Sequence, residues 1–315
     1  MKDLRVVFMG TPEFSVPILQ GLIDNCTVIG VVTQPDKEVD RHHKIVFSPV
    51  KELAIIHQIP VFQPVKIRAE YEPILALEPD IIITCAYGQI IPVEMLNYPK
   101  YACINVHASL LPKLRGGAPI HHAILDNHSK TGITVMYMAE KMDAGDIISQ
   151  RETTIDFLDT EGTLRDRLSL MGKDLLLETL PLIIEGRVKA IRQNENEVTF
   201  GFNIKREEEL VTFDREIITI YNHIRGLNPI PGAYALLDNI SIKLFASRLG
   251  EIIDTNHQVG EIITIYKDGF GVKTLDNKEI IITEIQVSGK KRMLVKDYFN
   301  GVKGSTLLGK VFNQN

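Results

Sequence analysis

Through the first 150 residues, short apolar runs alternate with longer stretches whose apolar residues recur at helical spacing. The runs at 4–9, 28–33, 81–84 and 102–106 read as buried strands, and the segments at 16–23, 50–57 and 71–77 read as helices between them. This alternation predicts βαβ units and a parallel sheet. Two later strands are expected at 133–137 and 147–149, around a loop that carries Asp143. Leu164, Leu168, Met171, Leu175, Leu176, Leu180, Ile183 and Ile184 then mark a long helix, with Thr160 as its N-cap and Gly186 as its stop. A polar, aperiodic stretch from 187 to 205 reads as a linker. Beyond a helix at 216–224 the pattern changes to short β-runs at 241–246, 260–266, 269–274 and 279–285, parted by Asp, Asn and Gly. These predict a small antiparallel barrel. The expected organisation is an α/β domain over 1–188, a linker over 189–205 and a β domain over 206–315.

Composition narrows the class. A 315-residue chain with 44% hydrophobic and 24% charged residues can bury a sizeable core in each of two domains. After Lys2 and Asp3 the first apolar run stops at Gly10-Thr11-Pro12, so no secretory leader is expected, and no run nears the ~20 apolar residues of a membrane span. Cys26, Cys85 and Cys103 are odd in number, lack metal-ligand spacing and sit among apolar residues, which fits a reducing cytoplasm. The net charge of −5 opposes a protein that coats nucleic acid, and DNA is not an expected partner. Residues 1–203 hold 20 Lys and Arg against 26 Asp and Glu, while 204–315 hold 15 against 14, so any RNA contact should lean on the second region.

The chemistry concentrates where the fourth strand ends. Residues two apart on a strand face the same way, so Asn105 and His107 project together while Val106 points to the other face. In open α/β sheets ligands lie at the carboxyl ends of strands. An amide donor beside an imidazole suits an acyl-type carbon whose oxygen gains negative charge. A lone Asn at a strand end is more often a turn cap and a lone His more often a packed residue, so the pairing carries the argument. Gly10-Thr11-Pro12 lacks the repeated glycines of a dinucleotide loop, so NAD is not implied. His42-His43 lacks a third ligand at useful spacing, and no metal is expected.

Asn105-x-His107-x-Ser109-Leu110-Leu111-Pro112, then Arg115-Gly116-Gly117-Ala118-Pro119-Ile120, then Asp143-Ala144-Gly145-Asp146, resembles the catalytic core of the folate-dependent formyltransferases. Gly10-Thr11-Pro12-Glu13-Phe14, Thr33-Gln34-Pro35-Asp36, Ser48-Pro49-Val50-Lys51, Val61-Phe62-Gln63-Pro64 and Ala86-Tyr87-Gly88 extend the resemblance. Asn203-Ile204-Lys205-Arg206-Glu207, Ile224-Arg225-Gly226-Leu227-Asn228-Pro229 and Gly289-Lys290-Lys291-Arg292-Met293-Leu294 carry it to the far end, and they are similar to the branch that acts on initiator tRNA.

The resemblance implies a Rossmann-like catalytic domain followed by an OB-like barrel. It implies transfer of a formyl group from 10-formyltetrahydrofolate to the free α-amine of methionine on initiator tRNA. Asn105 would hold the formyl oxygen, His107 would stabilise the oxyanion, and Asp143 would orient His107 and a water and accept the amine proton. The amine is the nucleophile, so neither Cys103 nor Ser109 is expected to form a covalent intermediate. Ser109, Leu110, Leu111 and Pro112, with Tyr87, Gly88, Gln89, Ile90 and Ile91, would contact folate, and residues 139–142 would flank the pterin. The 35–48 loop would recognise the acceptor end of the tRNA, be disordered without it, and use Arg41 and Lys44 as phosphate partners. Lys205, Arg206, Lys290, Lys291 and Arg292 would supply further tRNA contacts. Arg115 could hold an anionic group, or its Gly-Gly neighbours could merely let the chain turn. Phe213 and Ile230 stand where the family commonly has tryptophan. A cytoplasmic monomer is expected. A folate-dependent N-formyltransferase of sugar nucleotides is the second reading. A folate- or RNA-binding module with a dead site is the third, which the joint presence of Asn105, His107 and Asp143 opposes.

Overall fold

The computed structural model describes residues 1–38, 45–252 and 256–314. Arg41, Lys44 and the His42-His43 pair lie outside the described residues. The chain divides into two compact units, one of 1–119, 130–154 and 165–202, the other of 120–129, 155–164 and 203–315.

The first unit is built on a seven-stranded sheet. Its strands are β1 (Arg5–Gly10), β2 (Thr27–Val32), β5 (Val61–Phe62), β6 (Ile81–Cys85), β7 (Cys103–His107), β8 (Lys130–Tyr137) and β9 (Ile147–Thr154), in the order β5-β2-β1-β6-β7-β8-β9. A two-stranded antiparallel ribbon, β3 (Lys37–Glu38) with β4 (Ile45–Val46), stands apart. Helices α1 (Val16–Asn25), α2 (Pro49–Ile56), α3 (Glu72–Leu75) and α4 (Val93–Asn97) follow individual strands and α6 (Glu161–Ile184) follows β9, while α5 (Pro119–Leu125), after β7, falls almost wholly in the second unit. Val6, Val7, Phe8 and Met9 of β1 and Ile81, Ile82 and Ile83 of β6 have no exposed surface. Such runs, apolar on both faces, mark strands covered on both sides.

Pairing is parallel from β5 to β7, but β8 runs antiparallel to β7 and β9 antiparallel to β8. The expected parallel sheet is therefore mixed. After β7 the chain returns along its neighbour instead of crossing over the sheet, and strand periodicity is the same in both directions. The order reverses between β1 and β6, since β2 and β5 extend the sheet to one side and β7 to the other. In open α/β sheets such a switch point is where ligands enter, at the carboxyl ends of the strands.

Helix α6 begins and ends where its residues dictate. Thr160 Oγ1 accepts from the Thr163 N–H at 3.2 Å, and Gly186 takes a left-handed φ of 65° beyond the last turn. Gly172 lies against Val106, Ile18 and Ile133, where an added Cβ would meet their side chains at 3.2–3.7 Å. The bare glycine lets the helix approach the sheet at β7.

The second unit holds α7 (Ile217–Gly226), α8 (Val295–Tyr298) and a six-stranded antiparallel sheet. Its strands are β10 (Ala233–Leu237), β11 (Ile240–Ile252), β12 (Ile262–Ile265), β13 (Phe270–Lys273), β14 (Lys278–Val287) and β15 (Met293–Leu294). The order is β10-β11-β14-β13-β12, with β15 beside β14, and the β11–β14 pair carries register shifts that bend it. Ile220, Ile224, Leu244, Ile262, Phe270, Val272, Ile280, Ile282 and Phe312 form the core with Phe213, one of the residues standing in for tryptophan. Ile230, the other, is 67% exposed, so no core packing depends on its size.

The Arg225-Gly226-Leu227-Asn228 motif is a clamp inside this unit. Arg225 donates to the carbonyls of Asp156 and Asp159 at 3.0 and 2.8 Å. Tyr221 donates to the Phe157 carbonyl at 2.9 Å and stacks on its ring with centroids 4.7 Å apart. Asn228 donates to the Phe245 carbonyl at 2.7 Å and accepts on its own backbone oxygen from the Gly162 N–H at 3.0 Å. An ordering guanidinium and amide in a buried turn explain this motif without a ligand.

Candidate active site

The last residues of β7 hold two of the candidate catalytic side chains. Asn105 pairs across the sheet with Met136 and His107 with Thr134. Thr84, on the adjacent β6, donates its hydroxyl to Asn105 Oδ1 at 2.9 Å. That bond turns the carboxamide so that its NH₂ end is presented. A carboxamide nitrogen carries two donors.

His107 is buried, with its Nε2 at 3.0 Å from the Leu114 carbonyl oxygen. A carbonyl can only accept, so Nε2 carries the proton. The other nitrogen, Nδ1, faces Asp143 Oδ1 at 3.8 Å. Asp143 lies in the loop joining β8 to β9 with a left-handed φ of 49°, and its Oδ2 accepts from the Gly116 N–H at 2.8 Å. The structure therefore brings Asn105, His107 and Asp143 to one strand end.

A second layer holds these groups, and most of it comes from the stretch that reads as a linker. Ile191 and Ile147 exchange backbone hydrogen bonds at 2.8 Å. Gln193 Nε2 donates to the carbonyls of Asp143 and Gly145 at 2.8 and 2.7 Å. Its Oε1 accepts from Arg115 Nε and Nη2 at 3.1 and 2.8 Å. Arg115 Nη2 also reaches Glu195 at 2.8 Å, and Lys141 reaches the other carboxylate oxygen of Glu195 at 2.9 Å. Arg115 beside Glu195, with Lys141, holds that carboxyl down to about 2. Thr199 Oγ1 accepts from the Leu114 N–H at 2.9 Å, and the Gly201 carbonyl accepts from the Ala118 N–H at 2.9 Å. Arg115 is fully buried, and the anion it holds is a carboxylate of this chain.

The proposed folate-contacting residues fall into two groups. Ser109 and Leu111 are buried, and Leu110 and Pro112 half-buried, with Ser109 Oγ donating to the Lys113 carbonyl at 2.6 Å and Thr134 Oγ1 donating to the Ser109 carbonyl at 2.6 Å. At the switch point, the Tyr87 carbonyl accepts from Gln34 Nε2 at 2.8 Å. Gln89 Oε1 accepts from the Ile67 N–H at 2.9 Å and its Nε2 donates to the Pro64 carbonyl at 3.2 Å, so this side chain holds the loop together. Gly88 has a φ of 89°, Ile91 is buried and Ile90 is 61% exposed. The buried Tyr87 hydroxyl has no partner among the described residues, and burial first, then Glu70, pushes it up to about 12. The Thr33, Gln34, Asp36, Ser48, Lys51 and Gln63 motif residues interlock. Ser48 Oγ meets Thr33 Oγ1 at 2.8 Å, and Lys51 reaches Asp36 at 2.5 Å and Gln63 at 2.8 Å.

Burial pushes the Cys85 thiol up to about 12 and raises that of Cys103 further, so neither offers a thiolate. Among the described residues no group of His, Cys, Asp and Glu is placed to hold a metal ion, and no helix is long and apolar enough to cross a membrane.

Of the basic residues read as RNA contacts, Lys205, Lys290 and Lys291 are exposed. Arg206 is paired with Glu209 and lies over the Tyr234 ring. Arg292 grips both carboxylate oxygens of Glu284 at 2.8 and 2.7 Å and lies over Phe245. Sequence reasoning missed Thr84, Gln193 and Glu195. Only their positions in space mark them, since each is an ordinary polar residue in its own segment.

Residues 4–180 match the formyl transferase family and residues 203–303 match the formyl transferase C-terminal domain. A methionyl-tRNA formyltransferase of Bacillus cereus (strain B4264) is 53% identical over 303 residues, covering 95% of this chain and 96% of that protein. Among solved structures, HypX from Aquifex aeolicus in complex with tetrahydrofolic acid superposes with a TM-score of 0.66 at 17% identity, over 96% of this chain and 48% of that one. An N-formyltransferase from Helicobacter canadensis, solved with folinic acid and dTDP-3-aminofucose, gives 0.63 at 21% identity, over 90% and 99%. Those two likenesses speak to fold alone, whereas the matches over both halves of the sequence show that the chain belongs to the formyl transferase family, alongside the methionyl-tRNA formyltransferases that it matches over nearly their whole length.

Proposed function

We propose that this chain transfers the formyl group of 10-formyltetrahydrofolate to the α-amine of methionyl initiator tRNA. The observation that carries the reading is the meeting of Asn105, His107 and Asp143 at the end of β7 in a chain whose similarity to methionyl-tRNA formyltransferases runs through both units.

The residues fit a formyl group. With Oδ1 held by Thr84, the Asn105 amide keeps its donors for a carbonyl-type oxygen. The folate donor supplies the activated one-carbon unit. His107 Nδ1, facing Asp143, is the nitrogen placed to move a proton, because Nε2 is engaged with Leu114. Asp143 would take the amine proton directly or through water. Ser109, Leu110, Leu111 and Pro112 would line the folate beside the triad, with Tyr87, Gly88, Ile90 and Ile91 across the switch-point crevice. Lys205, Lys290 and Lys291 would offer exposed charge to the tRNA backbone, with Arg41 and Lys44 from the 35–48 loop. Acting on initiator tRNA, the enzyme would work in the cytoplasm as a monomer.

The test is to incubate the protein with 10-formyltetrahydrofolate labelled in the formyl carbon and with either charged initiator tRNA or an amino-sugar nucleotide. Label on the methionyl α-amine supports the reading. Label on the sugar alone replaces it with the sugar-nucleotide reading, and label on neither removes formyl transfer.

A further inference from the structure

Resting on that function, we propose that Gln193, carried on the fully buried Arg115, is the positioning residue that sets Asp143 against His107. A loop aspartate in a left-handed conformation has no regular secondary structure to fix it, and Asp143 has a φ of 49°. Its side chain is tied through one bond, from the Gly116 N–H to Oδ2 at 2.8 Å. Its backbone is tied by Gln193, whose amide donates to the carbonyls on both sides of Ala144, those of Asp143 and Gly145. One side chain therefore fixes the loop at two points and with it the 3.8 Å approach of Oδ1 to His107 Nδ1.

Gln193 is itself held by charge. Two of the three Arg115 guanidinium nitrogens, Nε and Nη2, converge on its Oε1, so its amide end points at the loop. Arg115 is adjacent to Gly116 and follows Leu114, whose carbonyl fixes the His107 tautomer. The same short segment thus touches both catalytic side chains directly and, through Gln193, the loop that bears one of them. Burying a guanidinium is costly unless its donors are met; Gln193 and Glu195 meet those of Nε and Nη2, while Nη1 has no partner among the described residues. An alternative in which Gln193 merely satisfies Arg115 predicts that any acceptor at 193 suffices.

Gln193→Glu separates the two roles. Glutamate keeps the acceptor for Arg115 and adds opposite charge, but it cannot donate to the Asp143 and Gly145 carbonyls. Displacement of a catalytic group by about 1 Å can cost about 10²-fold in rate. The expected result for the full-length variant is a kcat lower by about 10- to 100-fold, with KM for folate and for tRNA within about twofold of wild type. Gln193→Met, of similar length and without either polar role, should lose at least as much. A readout independent of catalysis is amide hydrogen exchange at Gly116, whose N–H is held by Asp143 Oδ2. It should speed up in Gln193→Glu while the amides of β1 and β6 stay protected. Unchanged kcat in Gln193→Glu, or unchanged Gly116 exchange, overturns the proposal. Absence of formylation by the wild-type protein would instead defeat the function on which it rests, and the exchange result would still stand or fall alone.

Discussion

His107 Nε2 and the carbonyl oxygen of Leu114 lie 3.0 Å apart, and this contact fixes the imidazole tautomer. Leu114 has a left-handed φ of 57° and its N–H is held by Thr199 Oγ1, so its carbonyl is aimed and cannot turn away. With Nε2 protonated against it, Nδ1 is left to face Asp143.

From that geometry, alanine at His107 or Asp143 should lower kcat by about 10²–10⁴-fold, as loss of a general acid or base does. Asn105→Ala should cost about 10²–10³-fold, the range for one oxyanion donor. Single-turnover formylation measures the chemical step. The double variants should fall little further than the singles, because groups acting as a unit are not additive. Wild-type rates in any folded single variant would contradict the assignment.

Thr84→Val tests the orientation of Asn105 without touching it. Valine matches threonine in shape and removes the donor to Oδ1, so the carboxamide can rotate away. Activity should drop by roughly 10-fold, less than for loss of the amide itself. Thermal stability should change by about 1 kcal/mol, the net worth of one hydrogen bond. A variant as active as wild type would show that the sheet alone orients Asn105.

Much of the α/β unit was legible because its strands are apolar on both faces and its long helix repeats Leu at fixed intervals, from Leu164 to Leu180. Asn105 and His107 were legible because strand alternation needs no tertiary information. Other parts were not, among them the short elements β3, β4, α4, β15 and α8. β5 has two residues, too few for a period, and β10, from Ala233 to Leu237, mixes small residues after a proline-rich turn. The reversal of β8 depends on the path of the connection. The polar stretch around Gln193 has no period because it is extended chain pinned by side chains, a state that looks like a linker in sequence.

In the second unit His223 should make stability depend on pH. Desolvation first, then Arg215, lowers its pKa, while its hydrogen bond to the Glu208 carbonyl at 2.8 Å works the other way. A histidine whose folded pKa lies below the unfolded value of ~6.5 binds its proton more tightly when unfolded, so stability is full above ~6.5 and is lost as pH falls towards the folded pKa. The Tm of the wild type should fall as pH drops below about 6.5. His223→Gln keeps an N–H for Glu208 and cannot charge, so its Tm should fall less over that window. Parallel curves for the two proteins would exclude His223 as the source.

Charge reversal at Lys290 and Lys291 tests the RNA-facing role of the second unit. Arg292 belongs to the same basic cluster but differs physically. It is committed to Glu284 through two hydrogen bonds and to the face of Phe245, so reversing it would set two carboxylates together and damage the β14–β15 corner. Lys290 and Lys291 are exposed and form no ion pair among the described residues, and the Lys290 ammonium lies 5.8 Å from the Tyr298 ring centroid, so their reversal should lower Tm only a little. Each lysine that meets a phosphate releases counterions on binding and contributes about 0.7–0.9 to the slope of log affinity against log salt. The Lys290→Glu, Lys291→Glu double variant should therefore bind charged initiator tRNA more weakly, with a slope flatter by up to about 1.5–2. Its KM for tRNA should rise while kcat at saturating tRNA holds, because neither residue belongs to the catalytic cluster. Arg292→Lys, which retains charge but not the two-pronged grip, should change the salt slope little. If the double variant keeps both the affinity and the slope of wild type, this end of the barrel does not meet the RNA backbone, and the tRNA contacts must be sought at Lys205 and in the 35–48 loop.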